Sequence, residues 1–210
     1  MNDDDVKEIK TILVGTSGVG KTNIINVLTG QSFDTGKFST TTCSFVDKIM
    51  EVKKKKFRVE IWDTAGQEQF RSLTNLFIKD SKIVIFVYDI TNRKSFEDVD
   101  FWVNTIKEML GDSPVFGLAG NKKDLFTKEE VEEEAGENKA NIINAIFKLT
   151  SAKTGNGIND FMQSLLEEYV KRIENKERSN KDKEDKKEDK RRQKLDSSID
   201  IQNPKKHKCC

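Results

Sequence analysis

Eight residues, Gly15-Thr16-Ser17-Gly18-Val19-Gly20-Lys21-Thr22, constrain this 210-residue chain more than any other stretch. They read G-x-x-x-x-G-K-T. The residues before them, Ile9 to Val14, are rich in β-branched types and predict a strand. The residues after them, Asn23 to Leu28, carry apolar side chains at helical spacing. Strand, glycine loop and helix is the arrangement in which successive backbone N–H groups turn inward and cradle phosphate, helped by the partial positive charge of a helix N-terminus. In that setting the Lys21 ammonium is positioned to reach terminal phosphates, and the Thr22 hydroxyl to ligate Mg²⁺. Gly15, Ser17, Gly18, Val19, Gly20 and Asn23 complete the predicted cradle.

The rest of the pattern predicts an α/β fold. Ser44 to Val52 and Phe57 to Trp62 read as two strands of a hairpin, joined through the run Lys53 to Lys56. Such a run is a candidate membrane or nucleic-acid patch, but a solvated hairpin tip is the reading favoured here. Lys82 to Asp89, Val115 to Gly120 and Ala145 to Thr150 are apolar runs without alternation, which suits strands buried on both faces. Between them Phe96, Val99, Trp102, Val103, Ile106 and Met109-Leu110 recur at helical spacing. Val131, Ala135, Ala140 and Ile143 form a weaker helix, and Ile158 to Val170 a strong closing one. The expected architecture is a mostly parallel six-stranded sheet with helices on both faces and one antiparallel edge strand.

The near-zero net charge of +1 conceals a division. From Lys171 onward there are 15 basic and 9 acidic residues, against 22 and 27 before it. The expected organisation is a flexible N-terminus (1–7), a folded domain (8–172) and a charged tail (173–210). The tail is too polar to bury a core. It reads either as coil, with a root-mean-square reach of about 30–36 Å, or as an exposed extension of the last helix supported by pairs four apart, such as Asp182 and Lys186. Met1 to Asp5 has no apolar run, so no secretory signal is expected. Three cysteines, Cys43 and the pair Cys209-Cys210, make no disulfide framework and fit a reducing compartment.

Further motifs follow predicted strands. Asp63-Thr64-Ala65-Gly66-Gln67 places an acid where it can hold Mg²⁺ opposite Thr22, a glycine whose N–H can approach a γ-phosphate, and a glutamine able to orient water. Asn121-Lys122-Lys123-Asp124 offers a carboxylate that can accept two N–H bonds from a guanine edge, with the Asn121 amide free to serve a base acceptor. Ser151-Ala152-Lys153 offers a backbone N–H to the guanine carbonyl.

These four motifs, in this order, resemble the Ras superfamily of small GTPases over roughly residues 8–172. Within it the chain looks like a Rab, on Trp62 before Asp-Thr-Ala-Gly-Gln-Glu, Val87-Tyr88-Asp89-Ile90-Thr91, and the final Cys209-Cys210. Arg71-Ser72-Leu73, Phe77 to Ser81, and Asp89 to Asn92 with Ser95-Phe96 look most like the Golgi-associated subgroup. The resemblance implies that Lys21 binds β/γ-phosphates and assists hydrolysis, that Gln67 is catalytic, and that Thr22, Asp63 and a switch threonine hold Mg²⁺. Aligning back from Phe45 makes that threonine Thr40, within the run Thr40 to Thr42. Phe33 would pack against guanine, and Phe45, Trp62 and Phe77 would form the aromatic triad read by effectors. Cys209 and Cys210 would carry geranylgeranyl groups beside Lys205, Lys206 and Lys208; two lipids anchor stably where one does so marginally.

The implied protein is a monomeric GTP/GDP switch in vesicle trafficking, on the cytoplasmic face of Golgi-related membranes and cycling with cytosol. Its implied partners are an exchange factor, an activating protein, a GDP dissociation inhibitor, the escort protein with its geranylgeranyltransferase, and effectors, with no nucleic acid. The chain departs from the Rab pattern at Thr41-Thr42-Cys43-Ser44-Phe45, where I-G-V-D-F is usual; Gln69 replaces an arginine, and Phe77-Ile78-Lys79-Asp80-Ser81 replaces Y-Y-R-G-A. Those changes bear on partner identity and keep a non-cycling, nucleotide-bound scaffold as the alternative. An ATP-using enzyme is disfavoured by Asn121 to Asp124.

Overall fold

The sheet grows outward from β1 (Lys7–Val14). In the computed structural model, which describes residues 6–34, 44–63 and 78–199, β1 lies between β3 (Lys55–Asp63) and β4 (Ile83–Asp89). The strands β2 (Ser44–Val52), β5 (Val115–Asn121) and β6 (Ala145–Leu149) complete a six-stranded sheet of order β2-β3-β1-β4-β5-β6. Among the described strands only the β2–β3 pair is antiparallel. Every residue of β4 and β5 is buried, which accounts for their unbroken apolar runs. Edge strand β6 differs from the reading of a doubly buried strand. Four of its five residues keep some exposure, because a strand with one neighbour is covered on fewer sides.

The helices among the described residues are α1 (Lys21–Leu28), α2 (Arg93–Glu97), α3 (Val99–Leu110), α4 (Glu133–Ile143) and α5 (Ile158–Ile199), with a 3₁₀ segment at Lys123–Lys128. The single apolar periodicity from Phe96 to Leu110 is split into α2 and α3. Asn92 caps α2 by accepting from the Ser95 N–H at 3.1 Å, and Asp98 stands at the junction. Val99, Trp102, Val103 and Ile106 face the sheet and are buried with Phe86, Tyr88 and Phe116. Each such side chain removed from water contributes about 1.5–3 kcal/mol, more than helix propensity could supply over twelve residues.

The hairpin tip is tighter than the lysine run suggests. Val52 pairs with Lys55, so only Lys53 and Lys54 form the turn, at φ 50° and 65°. Lys55 and Lys56 belong to β3. This is the geometry of a two-residue turn with both central residues left-handed, filled by lysine where glycine or asparagine would signal it.

By chain contacts the molecule divides into Met1–Tyr169 and Val170–Cys210. In the first unit α5 is tied to the edge strand: Lys48 Nζ donates to Asn159 Oδ1 at 3.0 Å and Gln163 Nε2 to the Glu51 carbonyl at 3.1 Å. In the second unit the backbone is helical through Ile199, so of the two alternatives for the tail the helix is the one present there. No described helix is long and apolar enough to cross a membrane.

Candidate functional site

Strand order reverses at β1, whose chain continues to β2 and β3 on one side and β4 on the other; ligands bind parallel sheets at the carboxyl ends of strands beside such a point. Gly15 to Gly20 leave β1 there. Gly20 caps α1 at φ 98°, with no side-chain cap on the helix, so the first-turn N–H groups of α1 face the loop. Lys21 folds back under the loop, buried, its ammonium donating to the carbonyls of Gly15 (2.7 Å) and Thr16 (3.0 Å). Burial lowers its pKa to about 8, against the opposing pull of the Asp63 carboxylate. A buried cation at the mouth of a helix is a strong anion attractor. Beside it the Thr22 hydroxyl donates to Asp63 Oδ2 at 2.6 Å, so the last residue of β3 and the first turn of α1 bring two oxygens together.

The second half of the site comes from the ends of β5 and β6. Asn121 is buried, and its amide ties two loops together. Nδ2 donates to the Val19 carbonyl at 2.8 Å, while Oδ1 accepts from Thr150 Oγ1 and the Ala152 N–H, both at 3.2 Å. It therefore straps the phosphate loop to the loop after β6. Nδ2 carries a second N–H besides the one given to Val19, so the strap leaves the amide a donor for a base acceptor. Ser151 Oγ donates to Asp124 Oδ1 at 2.6 Å and fixes that carboxylate. The Ser151 N–H goes to the Asn156 carbonyl.

A cavity of about 360 Å³ opens between these halves. Gly18, Gly20 and Asn23 line it from the loop and α1, Asn121, Lys122, Asp124 and Leu125 from the end of β5, and Ala152 and Lys153 from the last loop. Phe33 and Asp34 close it. Asn23 clasps that segment: its Nδ2 donates to the Asp34 carbonyl at 3.0 Å and its Oδ1 accepts the Asp34 N–H at 3.1 Å. Phe33 is thereby held, half-buried, at the cavity wall. Val19 contributes its carbonyl to the strap while its side chain is buried in the core.

Volume and chemistry fit a nucleoside di- or triphosphate: an aromatic wall and a fixed carboxylate at one end, a buried ammonium and open helix N–H groups at the other. The Thr22–Asp63 oxygen pair fits Mg²⁺, which takes one or two protein oxygens and fills its octahedron with phosphate oxygens and water. The Ras family model matches residues 10–171. The chain belongs to the Ras family. It is a small GTPase of the Ras superfamily, a class that binds GTP and GDP, typically with Mg²⁺, and works with exchange factors, activating proteins and effectors.

In this GTPase, Thr40, Gly66, Gln67, Phe77, Cys209 and Cys210 lie outside the described residues. Phe45 and Trp62, cross-strand partners on β2 and β3, stack with ring centroids 4.9 Å apart. Three participants were not legible in sequence. The Asn121 strap spans 102 positions, the Asn23–Asp34 clasp links a helix to a loop of no pattern, and Thr150 is an unremarkable strand-end residue.

Proposed function

We propose that this GTPase is a Rab-type switch in vesicle trafficking on intracellular membranes, Golgi-related ones on the subgroup resemblance of Phe77 to Ser81 and Asp89 to Asn92. The observation that carries the reading is the Phe45–Trp62 stack: Phe45 is 53% exposed on an edge strand, a large aromatic surface left to solvent beside the nucleotide site. Exposed paired aromatics make anchors for a protein partner, and their types and positions are those of two members of the Rab effector triad. Cys209 and Cys210 support the membrane assignment as prenylation sites, with the escort protein, geranylgeranyltransferase and dissociation inhibitor as partners.

In the proposed cycle the Lys21 ammonium takes up charge on the transferring phosphoryl oxygens, and Gln67 orients the attacking water. Bound Mg²⁺ would neutralise β- and γ-phosphate oxygens, held through Thr22, Asp63 and Thr40. Thr40 and Gly66 would hold the γ-phosphate and order both switches until hydrolysis releases them. The loop Gly15 to Thr22 contains no arginine, so intrinsic turnover is expected to be slow and an activating protein to raise it by about 10³–10⁵.

The first test is to purify the full chain, denature it and identify the released nucleotide. One GDP per chain supports a cycling GTPase; one GTP per chain favours the non-cycling scaffold. Incubation with escort protein, transferase and geranylgeranyl diphosphate then tests the Rab assignment. Two lipid additions by mass, lost in the Cys209→Ser/Cys210→Ser chain, support it, and none would refute it.

A further inference from the structure

We infer that Asp89, which belongs to none of the four nucleotide motifs, is a positioning residue that anchors the Lys122 ammonium and so makes Lys122 a wall of the base pocket rather than a phosphate ligand. The inference deepens the guanine-nucleotide reading and rests on it. Asp89 ends β4 and lies opposite Asn121 in the β4–β5 register. Its side chain is only 9% exposed, and Oδ2 accepts from Lys122 Nζ at 2.6 Å. Oδ1 accepts from the Thr91 N–H at 2.9 Å and Thr91 Oγ1 at 2.8 Å. The carboxylate is thus held in one orientation by the turn that follows it, and that turn is itself fixed: the Asp89 N–H donates to Ser95 Oγ at 3.0 Å and the Ile90 N–H to the Asn121 carbonyl at 3.1 Å.

Lys122 has left-handed backbone, φ 68°, which takes its side chain out of the strand's alternation. It lines the cavity together with Gly18, Gly20 and Asp124. With its ammonium held by Asp89, the part of Lys122 left to the cavity is the aliphatic stem, which suits the flat face of a base. A charge-assisted bond to a buried carboxylate keeps that stem still. Without it the ammonium would turn to water or to phosphate, and the wall would loosen.

The test compares release of a fluorescent GDP analogue with single-turnover hydrolysis of preloaded GTP in the full chain. Asp89→Asn is expected to speed release by about ten-fold or more, the scale of one charge-assisted hydrogen bond, with hydrolysis of bound GTP unchanged. Lys122→Met, which keeps the stem and loses the charge, is expected to speed release to the same degree, and adding Asp89→Asn to Lys122→Met to speed it no further. Thr91→Val, which removes only the hydroxyl bond, is expected to leave release at the wild-type rate. Unchanged release in either Asp89→Asn or Lys122→Met would overturn the inference. So would a further acceleration on combining them, because Asp89 would then act through its turn and not through Lys122. A wild-type chain that binds no guanine nucleotide would overturn the site itself, an outcome distinguishable from normal binding with Asp89 inert.

Discussion

Replacing Gly20 with alanine probes the contact between the two halves of the site. A Cβ at Gly20 would lie 2.4 Å from Asn121 Nδ2, closer than real Cβ contacts allow, and φ is +98°. The amide of Asn121 has nowhere to retreat without giving up its 2.8 Å bond to the Val19 carbonyl, in a position 1% exposed. Left-handed backbone costs a non-glycine residue roughly 1–2 kcal/mol, and a buried polar group stripped of its partner roughly 1–3 kcal/mol. Gly20→Ala should therefore destabilise by about 2–5 kcal/mol. Gly18→Ala is the internal control. Its φ is +81° but nothing lies within 4 Å of the added Cβ, so only the backbone strain remains. Urea unfolding of the nucleotide-free chains, which removes ligand stabilisation from the comparison, should separate the two variants by about 1–3 kcal/mol. Removing the obstruction with Asn121→Ala in the Gly20→Ala background should show strong coupling in a double-mutant cycle. Equal destabilisation by Gly20→Ala and Gly18→Ala would refute the reasoning, because the strap would then be absent or freely adjustable.

Tyr88 gives the pH dependence. Its hydroxyl is buried without a hydrogen-bond partner, and burial, then Glu129 and Glu133, push its pKa above the ordinary 10. A phenol whose folded pKa is raised favours the folded state fully below pH 10 and loses that contribution as pH rises beyond it. Tyr88→Phe should be neutral or stabilising by up to about 1–3 kcal/mol, and its melting temperature should fall less steeply above pH 10; matching slopes would count against the assignment. Thr22→Ala removes one oxygen of the Thr22–Asp63 pair, and Mg²⁺ titration should show weaker nucleotide retention, with unaltered Mg²⁺ dependence as the contrary result. Gln67→Leu is expected to abolish stimulated hydrolysis while leaving GTP binding intact, read by phosphate release against nucleotide content.

The glycine loop, the strands and the order of motifs were readable because each depends on neighbours in sequence. Backbone N–H groups converge on a phosphate wherever Gly15 to Thr22 stands between a strand and a helix, and the closing helix announces itself by Phe161, Met162, Leu165 and Leu166. Where the reading fell short, a pairing that exists only in the folded chain decided the outcome. The Asn121 strap was not readable because its partners Val19 and Thr150 lie 102 and 29 positions away. The lysine run looked like a four-residue tip because lysine carries no turn signal, yet the pairing of Val52 with Lys55 draws two of the four into β3. Ala145 to Leu149 read as doubly buried because an apolar run cannot reveal how many neighbours its strand has.

From sequence alone, then, came the chemistry on offer: an ammonium, a hydroxyl and a carboxylate for phosphate and metal, a second carboxylate for a base, and two aromatics on one hairpin. Tertiary structure decided which of those groups remain available. Parallel pairing of β4 with β5 sets Asp89 opposite Asn121 and brings Lys122 to its carboxylate. Burial beneath the loop lowers the Lys21 pKa. Hydrogen-bond capacity is a property of each residue, but whether a neighbour has already used it depends on contacts scores of residues apart, and those exist only once the sheet has formed.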